Sequence, residues 1–216
     1  MNPGKRLVVE ALGTALLLAT VVGSGIMGHR LAGGNVAIAL LANSLATGAV
    51  LIALIYIFGP MSGAHFNPVV TVSIAWRGGF SWKEVPGYVV AQQAGAILGV
   101  LAAHLMFEQA VWQTSSHVRT GPAQWFSEFV ATFGLLAVIW GQGKVRAPFT
   151  IGLYIVGAYW FTSSTSFANP AVTIARSLTD TFAGIRPQDA PGFIGAQFLG
   201  ALTATALFAW LFKEKK

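Results

Sequence analysis

Apolar runs recur along the 216-residue chain, each close to the ~20 residues that a helix needs to cross a ~30 Å hydrocarbon core. Six can be read, over about 7–28, 36–58, 85–107, 124–141, 147–163 and 190–212, each bounded by charges, Gly or Pro. Two shorter apolar stretches, "NPVVTVSIAW" from Asn67 and "NPAVTIARSL" from Asn169, fall after the second and fifth runs. Helices of about ten residues reach only ~15 Å, half a bilayer. Asn is a preferred N-cap, and Pro at the first helical position brings the fixed φ of a helix start. Both short helices are therefore expected to begin at their Asn, with Pro68 and Pro170 as first residues.

Three signatures repeat in the same order. Glu10 and Thr14 in the first run answer Glu128 and Thr132 in the fourth; Asn67-Pro68-Val69 answers Asn169-Pro170-Ala171; Ala91, Gln92 and Gly95 answer Ala196, Gln197 and Gly200. Each half, about 1–115 and 116–216, holds three spans. Because three is odd, the second half enters the membrane from the opposite face, which makes the halves an inverted repeat. The two short helices then enter from opposite faces and meet N-terminus to N-terminus near the midplane. Their non-helical approaches, "SGAH" and "TSSTS", must line a water-filled path or be packed in protein. The expected fold is an all-α membrane protein of six transmembrane helices and two re-entrant half-helices, in a single channel domain.

Composition sharpens this picture. Charged residues make up 9% of the chain against 55% hydrophobic, too few to coat a soluble surface. Lys5, Arg6, Arg77, Lys83, Lys144, Arg146, Lys213, Lys215 and Lys216 fall on one side of a six-span threading, and Arg30, Arg119, Arg176 and Arg186 on the other. The excess puts both termini in the cytoplasm of a multi-pass cell-membrane protein. The net charge of +6 is dispersed, without the basic stripe of a nucleic-acid-binding protein. The opening segment resembles a signal peptide, but Glu10 interrupts its apolar run and the match to Glu128 marks it as retained. No Cys is present, which excludes thiol-ligated metal and disulfides.

With the two Asn-Pro motifs, the paired Glu helices and "SGAHFNP", the chain resembles the aquaporin and aquaglyceroporin family over essentially its whole length. The resemblance implies a channel, usually a homotetramer with one pore per subunit, that passes water or small uncharged solutes down their gradients without cofactor or catalysis. Facing half-helix N-termini carry about half a positive charge each and repel cations, an arrangement for which aquaporin-type pores are themselves the standard illustration. Two departures stand out: Val69 replaces the usual Ala, and Val172 stands where the family carries a filter arginine. Ungapped counting back from each Asn assigns the remaining constriction positions to Thr47, Gly157 and Ser166. Such a ring has no aromatic side chain and no fixed cation, which implies a wide mouth suited to glycerol-like polyols and neutral metalloid hydroxides such as arsenite. The alternatives are a water-selective channel and a non-conducting junction protein.

Other residues yield more modest expectations. Glu10 and Glu128 sit inside spans, where an ionised carboxylate needs partners. Each is expected to accept hydrogen bonds from the backbone of its own half's loop, with His65 bracing the first loop. Arg176, one helical turn after Val172, can either reach back toward the pore or turn away to Asp180 or loop carbonyls. His104 and Glu108 share a helix face but offer only two metal ligands, and no metal site is expected. Trp76, Trp82, Trp112, Trp125 and Trp210 read as interfacial anchors. Gly95, Gly99, Gly195 and Gly200 read as close helix contacts.

Overall fold

The computed structural model describes residues 1–141 and 147–212, and among these the regular elements are all helical. They are α1 (Pro3–Leu31), α2 (Val36–Ser62), α3 (Pro68–Trp76), α4 (Val85–Met106), α5 (Pro122–Gly141), α6 (Ala147–Phe161), α7 (Pro170–Arg176) and α8 (Ala190–Leu211), with a short 3-10 turn at Pro187–Asp189. Five of the long helices have the length and apolarity to cross a membrane, and α6 is a shorter apolar helix of 15 residues. The six expected spans are these six helices. The two half-helices, α3 and α7, are nine and seven residues long.

Local sequence accounts for the helix ends. The side chain of Asn35 caps α2 by accepting from Ala37 N and Ile38 N. Gly63, at φ 95°, closes α2 in the left-handed conformation that glycine adopts without a Cβ penalty. This helix runs four residues beyond the end expected from hydropathy, with Pro60 in its last turn. Asn67 and Asn169 have extended backbones and accept at Oδ1 from Val69 N at 3.1 Å and from Ala171 N at 3.0 Å. Both half-helices therefore begin where the Asn-Pro signal predicts.

Packing repeats between the halves. α1 lies on α4 as α5 lies on α8, while each half-helix packs on the closing helix of both halves, α4 and α8. The tightest crossings rest on glycine. A Cβ on Gly95 would overlap Ala11 O, one on Gly99 would overlap Ala15 O, and one on Gly200 would overlap Phe129 O. At the α2–α6 crossing, Gly48 and Gly152 each lie against the other's carbonyl. Gly195 is different from what its spacing suggested: a Cβ there meets nothing within 4 Å, so it faces open space rather than a helix contact. Gly200→Val or Gly95→Val is therefore expected to cost about 1–3 kcal/mol through overpacking. Gly195→Val should have little effect. Thermal unfolding of the three variants in detergent checks the contrast.

Basic side chains segregate to the two ends of the bundle. Arg6 pairs with Glu84 at 2.8 Å, and Arg77 lies over the Trp140 ring at 4.6 Å. At the other end Arg30 donates to Phe107 O at 2.9 Å, and Arg119 and Arg176 sit under the loops there. Lys144, Arg146, Lys213, Lys215 and Lys216 lie outside the described residues. All five tryptophans expected at interfaces are exposed, from 40% for Trp125 to 69% for Trp210.

Candidate functional site

The three repeated signatures form one hydrogen-bonded network in each half. In the first, Glu10 accepts from His65 N at 3.0 Å, Phe66 N at 2.8 Å, Ser62 Oγ at 2.6 Å and Gln92 Nε2 at 2.9 Å. In the second, Glu128 accepts from Phe167 N and Ala168 N, both at 2.8 Å, and from Gln197 Nε2 at 2.6 Å. Gln92 also donates to Thr71 Oγ1 at 2.9 Å and Gln197 to Thr173 Oγ1 at 2.8 Å, which ties each carboxylate to its half-helix. Thr14 and Thr132 donate back to the carbonyls of Glu10 and Glu128. Both carboxylates are completely buried. Their lone pairs are occupied by loop N–H groups, which is the bracing arrangement and not the open geometry of a proton relay.

This bracing explains an unusual backbone. Ala64 and Phe66 in the first loop, and Ser166 and Ala168 in the second, have φ between 48° and 52° without being glycine. Such residues are sparsely populated and cost about 1–3 kcal/mol each, so they persist only where the surroundings hold them. The alternation turns consecutive N–H groups toward the glutamate of each half. His65 adds a bond from Nδ1 to Thr71 Oγ1 at 3.1 Å, and its ring packs against Phe80 and Tyr88.

At the centre the halves cross-link. Asn67 Nδ2 donates to Ala168 O, and Asn169 Nδ2 donates to Phe66 O, each at 2.8 Å. Each amide nitrogen thus spends one of its two hydrogens on the opposite loop and keeps the other for the lumen. Val69 is fully buried beside this junction, and Pro68, Pro170 and Ala171 are likewise buried in the first turns of the half-helices.

A continuous cavity of about 1050 Å³ passes this point. Asn67 and Asn169 line it together with His65, Phe66, Phe167 and Ala168. Toward the end that carries Arg77 it is walled by Tyr56, Pro60, Ile139, Trp140 and Pro148, and toward the other end by Thr47, Tyr159, Ser166, Val172 and Arg176. Three of the four constriction residues expected from sequence, Thr47, Ser166 and Val172, are in this wall.

The fourth, Gly157, is not. It lies on the exposed face of α6 with Leu153 and Trp160, a Cβ there would meet nothing within 4 Å, and Tyr159 takes the place on the cavity. The lumen face of α6 is the stripe Pro148, Ile151, Ile155, Tyr159, with helical spacing. The ungapped count from Asn169 crosses the end of α6 at Phe161 and a turn with Thr165 and Ser166 at positive φ, and it lands off the lumen stripe. The wall beside Thr47 consequently does contain an aromatic side chain: Tyr159, 3% exposed, donates to Thr47 Oγ1 at 3.4 Å.

It contains a cation as well. Arg176 is buried, donates from Nε to Ala183 O, and lies with Cζ 3.4 Å from the centroid of Phe167. Of the two courses open to it, it takes the loop carbonyl and still lines the cavity. It does not meet Asp180, which accepts from Ser116 N at 2.8 Å and Ser116 Oγ at 2.9 Å. Those two bonds hold the exposed Asp180 carboxyl below its ordinary range. A residue with no motif to flag it, Arg119, reaches the other loop carbonyls, Gly184 O at 2.8 Å, Ser164 O at 3.3 Å and Phe182 O at 3.4 Å, with Cζ 5.2 Å from the Phe167 centroid. His104 is buried with both ring nitrogens engaged, to Val111 O and Thr179 Oγ1, and Glu108 is exposed, so the pair does not converge on a metal.

The geometry agrees with what similar proteins are. The family model described as major intrinsic protein matches residues 2–156. The chain is 55% identical to the aquaglyceroporin AqpS of Rhizobium meliloti (strain 1021) over 215 residues, 98% of this chain and 92% of that protein. It is 31% identical to the probable aquaporin AqpM of Archaeoglobus fulgidus over 99% of each chain, and 29% identical to the probable glycerol uptake facilitator protein of Thermotoga maritima over 73% of this chain and 78% of the relative. Among solved structures, the aquaglyceroporin from Plasmodium falciparum superposes with a TM-score of 0.75 over 96% of both chains at 21% identity, a likeness of fold.

Proposed function

This chain belongs to the major intrinsic protein family of membrane channels, and we propose that within it the protein passes glycerol-like polyols, neutral metalloid hydroxides such as arsenite, and water down their gradients. The observation that carries this reading is the cavity itself. Its wall combines apolar side chains, among them Leu17, Val21, Ile55 and Ile155, with the polar groups of Asn67, Asn169, Thr47, Tyr159 and Ser166. A polyol has the same combination, with a carbon backbone along one edge and hydroxyls along the other. Each hydroxyl can exchange water for a fixed donor or acceptor as it advances, so the desolvation cost stays small at every step. Nothing in this transit needs a nucleophile or a cofactor, and the protein acts as a channel, not an enzyme.

Further parts of the reading follow the family. The protein would assemble as a homotetramer in the lipid bilayer, with four separate pores and both termini in the cytoplasm. The contacts of Glu10, Glu128 and His65 support a role in bracing the loops, and Asn67 and Asn169 a role as the central donors. A water-selective channel is the second reading, favoured by one observation, the Tyr159 to Thr47 hydrogen bond that closes one side of the outer ring.

Thr47→Phe fills that ring from the opposite wall. Glycerol entry into vesicles should fall about tenfold or more while water flux falls less, because the larger solute loses more of its path. Gly157→Phe, on the exposed face of α6, should leave the ratio of glycerol to water flux unchanged. A drop in that ratio for Gly157→Phe, with none for Thr47→Phe, would put the constriction elsewhere.

A further inference from the structure

The charges along the cavity are of one sign. Among the described residues Arg176 is its only charged lining residue, no Asp, Glu or Lys joins it, and Arg119 stands behind the wall on the same Phe167 ring. Among the described residues the ion pairs are Arg6 with Glu84 and Arg186 with Asp189, so neither guanidinium at the outer mouth is neutralised by a carboxylate. The buried Glu128 carboxylate is near enough to act on both guanidiniums through space but pairs with neither, and burying two cations without a directly paired counter-charge is costly; the two differ in how that cost is met.

Arg119 is compensated by three loop carbonyls. Arg176 is not. It is 98% buried, since its relative exposure is 2%, and only Nε has an acceptor, Ala183 O. The two terminal nitrogens, with four N–H donors in a rigid plane, have no acceptor among the described residues. Ser166, on the same stretch of wall, has a buried Oγ that also lacks a partner. Two groups on the cavity wall, Arg176 stacked on Phe167 and Ser166 next to Phe167 in the chain, thus have unused hydrogen-bonding capacity, one of them fully charged.

We infer that the outer end of the cavity binds a small monovalent oxyanion, with the terminal nitrogens of Arg176 as its fork and the Ser166 hydroxyl as an additional donor. A planar anion with two oxygens in the guanidinium plane matches the fork in shape and supplies a counter-charge in direct contact, and charge-assisted hydrogen bonds of this kind are the stronger ones. Low-dielectric walls of one sign focus the field and raise the local concentration of anions at the mouth. A bound anion occupies the passage used by neutral solutes and competes with them. The inference goes beyond the neutral-solute reading and shares its cavity.

Nitrate is a suitable probe because it is planar and carries its charge at every working pH. Glycerol entry is followed in vesicles containing the protein, with external sodium nitrate replaced stepwise by sodium gluconate, too bulky for the site, at constant ionic strength. The expected result is saturable slowing by nitrate. Apparent affinity should fall about tenfold or more in Arg176→Gln, the loss of one charge-assisted contact, and about threefold in Ser166→Ala. The same order should appear without transport, as nitrate-dependent stabilisation of the detergent-solubilised protein against heat, which also reports whether each variant is folded. No nitrate effect in a wild-type protein that conducts glycerol, or equal effects in wild type and both folded variants, overturns the anion site while leaving the channel reading intact. Failure of the wild type to conduct glycerol, with nitrate stabilisation present and lost in Arg176→Gln, overturns the polyol reading and supports the anion site.

Discussion

Vesicles containing Asn169→Asp or Asn67→Asp should leak protons or sodium where the wild type does not. Each Asn caps a half-helix with Oδ1 and gives an Nδ2 hydrogen to the opposite loop, Ala168 O for Asn67 and Phe66 O for Asn169, at 2.8 Å. Aspartate keeps the cap, which carboxylates make well, but places a full negative charge where two helix N-termini each supply about half a positive one. It also sets an acceptor against a carbonyl in place of a donor. Removal of a barrier worth about 1.4 kcal/mol is tenfold in rate, and reversal of the local sign should exceed that. Asn169→Ser separates the causes: it retains a capping oxygen and loses the same cross-link without adding charge, so it should not leak cations. Proton and sodium entry into dye-loaded vesicles, normalised to glycerol flux, decides the matter. Asp variants that conduct glycerol but exclude cations would mean that the barrier lies elsewhere.

The second large effect concerns Glu128. Glu128→Ala leaves Phe167 N, Ala168 N and Gln197 Nε2 without their acceptor in the buried interior. Each unsatisfied donor costs about 1–3 kcal/mol, so the sum approaches the whole stability of an ordinary domain. The expected outcome is a protein that fails to accumulate or melts far below wild type. Glu128→Gln preserves shape and one acceptor oxygen but turns an amide toward N–H donors, and should be intermediate. Glu10 variants should follow the same order, since Glu10 holds His65 N and Phe66 N in the same way. Thermal unfolding in detergent gives the ranking. A stable Glu128→Ala protein with intact selectivity would show that the loops keep their left-handed residues without the carboxylate.

How much of this was legible in the sequence depended on whether the signal was local. The Asn-Pro starts and the Glu-Thr and Gln-Gly repeats were readable because capping and repetition are written in contiguous residues. The structure then joins those same residues, Glu10 to Gln92 to Thr71 and Glu128 to Gln197 to Thr173, into equivalent networks. The constriction was read less well. Thr47 and Ser166, placed by counting, and Val172, placed by the Asn-Pro motif, do line the cavity, whereas the count across the non-helical turn after α6 landed on Gly157, off the lumen stripe that ends in Tyr159. The stripe Ile151, Ile155, Tyr159 was available as an alternative signal, since a lumen-facing residue must share a face with its helical neighbours. Arg119 had no signal at all. It works from a loop through contacts with Ser164, Phe182 and Gly184, 45 to 65 residues away, and only the folded chain brings these together. That Arg176 would be buried on Phe167 depended on a ring whose position the sequence does not state.

The central claim, that this protein is a passive pathway for small neutral solutes wider than water, is tested most directly by stopped-flow light scattering of vesicles containing it. Mixed with hyperosmotic glycerol, they should shrink and then reswell within the measurement, while the same vesicles in sucrose shrink and remain small and protein-free vesicles in glycerol reswell far more slowly. Shrinkage without reswelling in glycerol, at the rapid initial rate of a water pore, would contradict the claim and make the protein a water-selective channel.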